Sequence, residues 1–291
     1  MRVVSLVPAA TEIACALDAI DDLVGVTHDC DYPPGVGALP RVTRTTIPAG
    51  ATSRQIDTLV REAASRGDST FHLDAGALRD AAPDVILGQT LCNVCAVTLD
   101  QVPLELPHEP RVVPLEAASL EGMLDDVRRV GDALGRAAAA RALVAALRAR
   151  LDAVAAALSG RPRPRVACIE WIDPPFNGGH WVPEQVHIAG GVDVLGAPGE
   201  RSRVVAWDEV RGARPDVVVV MPCGWDLRRA SREAGVMPDL GVRVVAVDGN
   251  AYFSRPGPRL VDGVALLASI LHPGTVAGPV GAAALELRAH A

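Results

Sequence analysis

RAAAARALVAALRARLDAVAAALS, residues 136–159, is the stretch on which the chain is divided. Its larger apolar residues are Leu143, Val144, Leu147, Leu151, Val154 and Leu158. Steps of 1, 3, 4, 3 and 4 place them on one helical face. Alanine, the best helix former, fills most of the rest. About 24 residues at 1.5 Å each make a rod of roughly 36 Å. Gly160 and Pro162 stop it, and Gly135 separates it from a helix expected over 119–134. Ser119 stands at that helix's N-cap, and Leu120, Met123, Leu124, Val127, Val130 and Leu134 form its inner face.

On both sides of these helices the chain alternates strands and helices. Strands are expected at 2–7, 23–27, 84–88 and 111–115, then again at 165–171, 216–221 and 242–247. Helices are expected at about 53–66, 183–190 and 257–271, and near Thr11-Glu12. The tail from Pro273, rich in Ala and Gly, reads as partly frayed. Strands separated by helices argue for parallel sheets. The expected fold is therefore α/β: two Rossmann-like lobes with parallel sheets, joined by a long connector helix. The divisions fall at 1–118, 119–159 and 160–291.

The bulk numbers narrow the function. A net charge of −7 argues against a general binder of nucleic acid or anionic membrane. All 28 basic residues are arginine, so no Schiff-base or Walker-type lysine exists. No targeting segment and no apolar run of transmembrane length is read, so the expected location is cytoplasmic. In a reducing compartment the six cysteines read as thiols or metal ligands rather than disulfides.

Ligands of parallel sheets bind beyond the carboxyl ends of the strands. Those ends collect four of the six cysteines, three of the four tryptophans, both tyrosines and two histidines. Cys92-Asn93-Val94-Cys95 is a CxxC. With Cys30 and Cys223, or with His28 or His180 replacing one thiolate, it suits zinc or another soft metal. The plainer reading packs the same cysteines into a wall. Trp171, Trp181, Trp225, Tyr252 and Phe253 offer apolar faces for a large flat ligand, or else close a core. Arg255 and Arg259 offer cations for ligand carboxylates or amides. No G-x-S-x-G, G-x-G-x-x-G, H-E-x-x-H or P-loop occurs, which favours binding over catalysis.

Four stretches in order carry a resemblance: SLVPAATEI near the start, DYPP at 31–34, DPPFNGGHWVPEQVHIAGGVDVLG at 173–196 and SRPGPRLVDG at 254–263. Together they resemble the cobalamin-binding branch of the class III, helical-backbone substrate-binding proteins. The resemblance runs from residue 3 to about 272. It implies two lobes on one helix and a corrinoid held in the cleft between them, with no catalysis. It further implies that Tyr32 and Pro33, the loop through Pro175, Phe176, Asn177 and Gly178, and Tyr252-Phe253 line the ligand. The implied ligand is cobalamin or a related corrinoid, and the implied partner a transporter or corrinoid-handling protein. His28 and His180 are candidate axial donors to its cobalt. The alternative is a soft-metal protein or metalloenzyme built on Cys30, Cys92, Cys95, Cys223 and His28.

Overall fold

The computed structural model describes residues 1–89, 106–279 and 284–287. The chain folds as two compact units. Unit 1 is Met1–Ala51, Thr58–Ala117 and Glu121–Ala146; unit 2 is Thr52–Asp57, Ala118–Leu120 and Leu147–Ala291.

Unit 1 is built on strands β1 (Val3–Ser5), β2 (Leu23–Gly25), β3 (Thr43–Thr45), β4 (Phe71–Leu73), β5 (Val85–Gln89) and β6 (Arg111–Leu115). The main sheet has the order β2-β1-β5-β6 and is wholly parallel. Its strands are runs of Val, Ile and Leu because both faces are covered. One face buries Val4, Leu6, Val42, Leu78 and Ile86 together. Helix α1 (Pro8–Ala16) begins earlier than the Thr11-Glu12 start expected from sequence. The strand already ends at Ser5, and Pro8 occupies the first helical turn, where its missing N–H costs nothing. Strands β3 and β4 form a separate antiparallel pair that was not expected from sequence. At three residues each, they carry too short an alternation to be seen.

Helix α2 (Ser53–Ser65) is followed by α3 (Ala75–Ala81), α4 (Leu120–Ala133) and α5 (Ala137–Ala157). The last two are the expected pair, and all six expected inner-face residues of the first are buried. In α5 and just beyond it, Val144, Leu147, Leu151, Val154 and Leu158 are buried as well, whereas Leu143 is half-buried. The division between the units falls inside α5. No helix among the described residues is long and apolar enough to cross a membrane.

Unit 2 carries β7 (Arg165–Ile172), β8 (Pro175–Asn177), β9 (Val192–Asp193), β10 (Val217–Val220), β11 (Arg243–Val247) and β12 (Ala284–Leu287). Its helices are α6 (Val182–Ile188), α7 (Trp207–Gly212), α8 (Leu227–Glu233), α9 (Gly249–Tyr252) and α10 (Leu260–Leu271). The sheet order is β12-β11-β10-β7-β8, with β9 paired to β7. The centre is parallel, as expected, and the two outermost strands of that order are antiparallel. One of these lies in the tail that was expected to fray in part. Ala284–Leu287 is not frayed but pairs with β11, and Leu287 packs on the core that contains Val218 and Val220. Alternate leucines in an Ala-rich tail are a weak strand signal until a partner edge is available.

Candidate functional site

In unit 1 the loop after β2 carries His28 to Tyr32. Arg41 holds it: Nη1 donates to the carbonyls of Thr27 (2.8 Å) and Cys30 (2.9 Å), and Nη2 to that of Gly37 (3.4 Å). From this held loop Tyr32 projects into solvent at 43% exposure, with Pro33 half-buried behind it.

Cys30 is buried beneath the same loop, 3.0 Å from Thr11 Oγ1 and 3.1 Å from Thr27 Oγ1. Ser5 Oγ donates to the Val7 carbonyl and Thr11 Oγ1 to Ser5 Oγ, so Cys30 stands at the end of a buried chain of hydroxyls. Cys15, nearby, is pushed up to about 11 by burial first and then by Cys30 and Glu12.

His28 stacks on Phe71 with ring centroids 5.6 Å apart. Its backbone N–H donates to Thr43 Oγ1, and Nδ1 lies 2.7 Å from the same oxygen. Nε2 is buried, 3.4 Å from an Asp29 carboxylate oxygen. Burial lowers the pKa of the ring, with Asp29 opposing and Arg41 assisting. Cys92 and Cys95 lie outside the described residues, and Cys223 is half-buried in unit 2. Among the described residues, no group of three or more His, Cys, Asp or Glu is placed to hold a metal ion.

In unit 2 the stretch from Trp171 to Trp181 is a hairpin that runs into a helix. Strand β8 returns antiparallel to β7, then closes on the segment 203–205. Asn177 is buried and joins the two: Oδ1 accepts from Arg203 N, and Nδ2 donates to the carbonyls of Gly178 and Leu195. Gly179 admits no side chain, because a Cβ there would lie 2.3 Å from Ser202 N. Its own N–H donates to Glu170 Oε2 at 3.1 Å. His180 follows with φ of 53°, a left-handed conformation that costs a non-glycine residue of order 1–3 kcal/mol. Two backbone bonds hold it there, His180 N to Glu200 O and Gly199 N to His180 O. The ring is half-buried, and burial first and Arg201 second lower its pKa, which favours neutral imidazole.

The aromatic candidates of unit 2 separate by burial. Trp181, Trp225 and Phe253 are buried, as is Arg255. Trp225 packs on Trp171 at 4.9 Å and carries the Arg229 guanidinium at 4.1 Å from its ring. Trp225 belongs to the core cluster that contains Val218 and Val220, with Trp171 partly buried against it. Trp171, Pro175, Phe176, His180 and Tyr252 keep part of their surface exposed. Two supporting residues, Arg41 and Gln185, do not stand out in the sequence. Gln185 has a faint signal there, since it lies four residues after Trp181 on one helical face.

The described residues thus form two α/β units whose central strands run parallel, with aromatic residues at or beyond several strand ends. The chain belongs to the periplasmic binding protein family, whose model matches residues 3–239. A cobalamin-binding protein of Halobacterium salinarum is 26% identical over 290 residues, covering 94% of this chain and 70% of its own. A periplasmic haem-binding protein from Pseudomonas aeruginosa shares the fold at a TM-score of 0.67 and 21% identity, covering 98% of this chain and 97% of that one. The periplasmic vitamin B12 binding protein of Vibrio cholerae does so at 0.62 and 20%, covering 93% and 96%.

Proposed function

We propose that this chain is a reversible binder of a metal-bearing tetrapyrrole, cobalamin first and haem second. The observation that carries the reading is the match along 94% of the chain to a protein that binds cobalamin. The two structural relatives described above bind haem and vitamin B12, which keeps both ligands within one chemical class. The exposed aromatic surfaces suit it. Tyr32 on its loop in unit 1, and Trp171 on β7, Phe176 on β8 and Tyr252 on α9 in unit 2, offer apolar faces at least partly exposed, the usual lining of a site for a large flat ligand. The metal arrives with the ligand, so the protein needs no metal site of its own. His180 offers a neutral imidazole to such a ligand. A membrane transporter that takes the ligand onward is the proposed partner.

The test is a visible-absorption titration with cyanocobalamin and, separately, haemin, followed by gel filtration. A corrin or haem spectrum that co-elutes with the protein at one per chain supports the reading. Passage of both ligands without retention refutes it.

A further inference from the structure

Helix α6 and the residue that precedes it carry two buried polar side chains, four residues apart, that both reach the same neighbouring segment. Trp181 Nε1 donates to the Phe253 carbonyl at 2.7 Å. Gln185 Nε2 donates to the Tyr252 carbonyl at 3.1 Å and to the Leu260 carbonyl at 2.9 Å. Residues i and i+4 share a helical face, so one side of α6 delivers all three bonds.

The acceptors explain the arrangement. Tyr252 and Phe253 end the short helix α9, where carbonyls have no partner within the helix. Leu260 opens α10. The Gln185 amide therefore ties together the two ends of Tyr252–Leu260, the segment that carries Tyr252, Phe253 and Arg255. The packing leaves no slack. A Cβ on Gly263 would lie 2.4 Å from the Tyr252 carbonyl oxygen and 2.7 Å from Gln185 Nε2. Gln185 is wholly buried, yet its Oε1 has no hydrogen-bond partner. A buried unsatisfied acceptor costs about 1–3 kcal/mol, so an apolar residue would serve packing better. The glutamine is explained by what its two N–H bonds hold.

We infer that Gln185, with Trp181 beside it, is a positioning residue for ligand binding: it fixes the segment 252–260 so that Tyr252 meets the ligand in one preset orientation. Preorganisation of this kind raises affinity by removing the cost of ordering the loop on binding. The inference rests on the tetrapyrrole reading above for its ligand, and on the hydrogen bonds alone for its clamp.

The experiment uses Gln185→Leu, Tyr252→Ala and the double variant, with Trp181→Phe as a milder probe that removes one donor and keeps an aromatic ring. Two readouts are taken. Amide hydrogen exchange without ligand should rise in residues 252–260 of Gln185→Leu while unit 1 is unchanged. Cyanocobalamin affinity should fall at least tenfold in Gln185→Leu, but less than twofold when the same change is made in the Tyr252→Ala background. If Gln185→Leu does not fold, Trp181→Phe must show the same pattern at smaller amplitude. Unchanged exchange over 252–260 overturns the clamp, whatever binds. Raised exchange with independent, additive losses of affinity overturns the action through Tyr252. Failure of the wild type to retain cobalamin or haemin refutes the tetrapyrrole reading, and with it Tyr252 as the contact, but leaves the exchange result to judge the clamp.

Discussion

Asp193 offers the sharpest quantitative test of the structure. Its carboxylate supports the turn after β9: Oδ1 accepts from the N–H groups of Leu195 and Gly196, both at 2.9 Å. Gly196 in turn packs against Gly178, where a Cβ would lie 2.6 Å from the Gly178 carbonyl. The other oxygen, Oδ2, is buried without a partner. Burial pushes the group from 3.8 to about 6, against the lowering effect of the two backbone bonds. An acid whose folded pKa is raised binds its proton more tightly folded than unfolded. Its contribution to stability is therefore best at low pH and declines as pH climbs from about 4 through about 6. A shift of roughly two units corresponds to about 3 kcal/mol once both states are ionised.

Asp193→Asn removes the charge and keeps an acceptor for Leu195 and Gly196. Its new Nδ2 is an unpartnered donor, which takes back about 1–3 kcal/mol at every pH. The slope is therefore the clean readout. The stability of Asp193→Asn minus that of wild type should rise by about 2.5 kcal/mol between pH 4 and pH 7.5. Urea unfolding followed by tryptophan fluorescence measures it in the right place, since Trp171, Trp181, Trp207 and Trp225 all lie in unit 2. Parallel stability curves for the two proteins would mean that Oδ2 is solvated, and the reasoning would be wrong.

Other changes separate binding from folding. Tyr32→Ala should leave the unfolding midpoint within about 1 °C, as expected for a solvent-exposed side chain, while cyanocobalamin affinity falls at least tenfold. Gly179→Ala forces a Cβ into Ser202 backbone and should cost about 1–3 kcal/mol in urea unfolding, with ligand affinity reduced through His180. Cys30→Ala should lose about 1–2 kcal/mol by removing the sulfur from the hydroxyl chain, yet keep cobalamin affinity within twofold, because Cys30 is buried. Arg54 donates both Nε and Nη2 to Asp173, but its side chain is 76% exposed, so Arg54→Ala should change stability by less than about 1 kcal/mol, measured the same way.

The elements legible before folding is considered are those whose signal is local. The stripe from Val144 to Leu158 and the inner face from Leu120 to Leu134 were legible because helical period and alanine content act along a few turns. The Val-rich runs at 217–220 and 243–247 were legible because a strand buried on both faces is apolar throughout.

The burial and the partners of the candidate site residues come from packing between distant parts of the chain. Trp181, Trp225 and Phe253 looked like ligand walls, and packing buried them, because an aromatic ring serves a core as well as a site. Cys30 read as a metal ligand or a wall residue, and folding buries it against the hydroxyls of Thr11 and Thr27. The strand at 284–287 waited for an exposed edge of β11. Arg41 and Gln185 acquired their roles from carbonyls elsewhere in the chain, those of Thr27, Cys30, Tyr252 and Leu260. A hydrogen bond depends on where the partner ends up after folding, and neither spacing nor composition encodes that position.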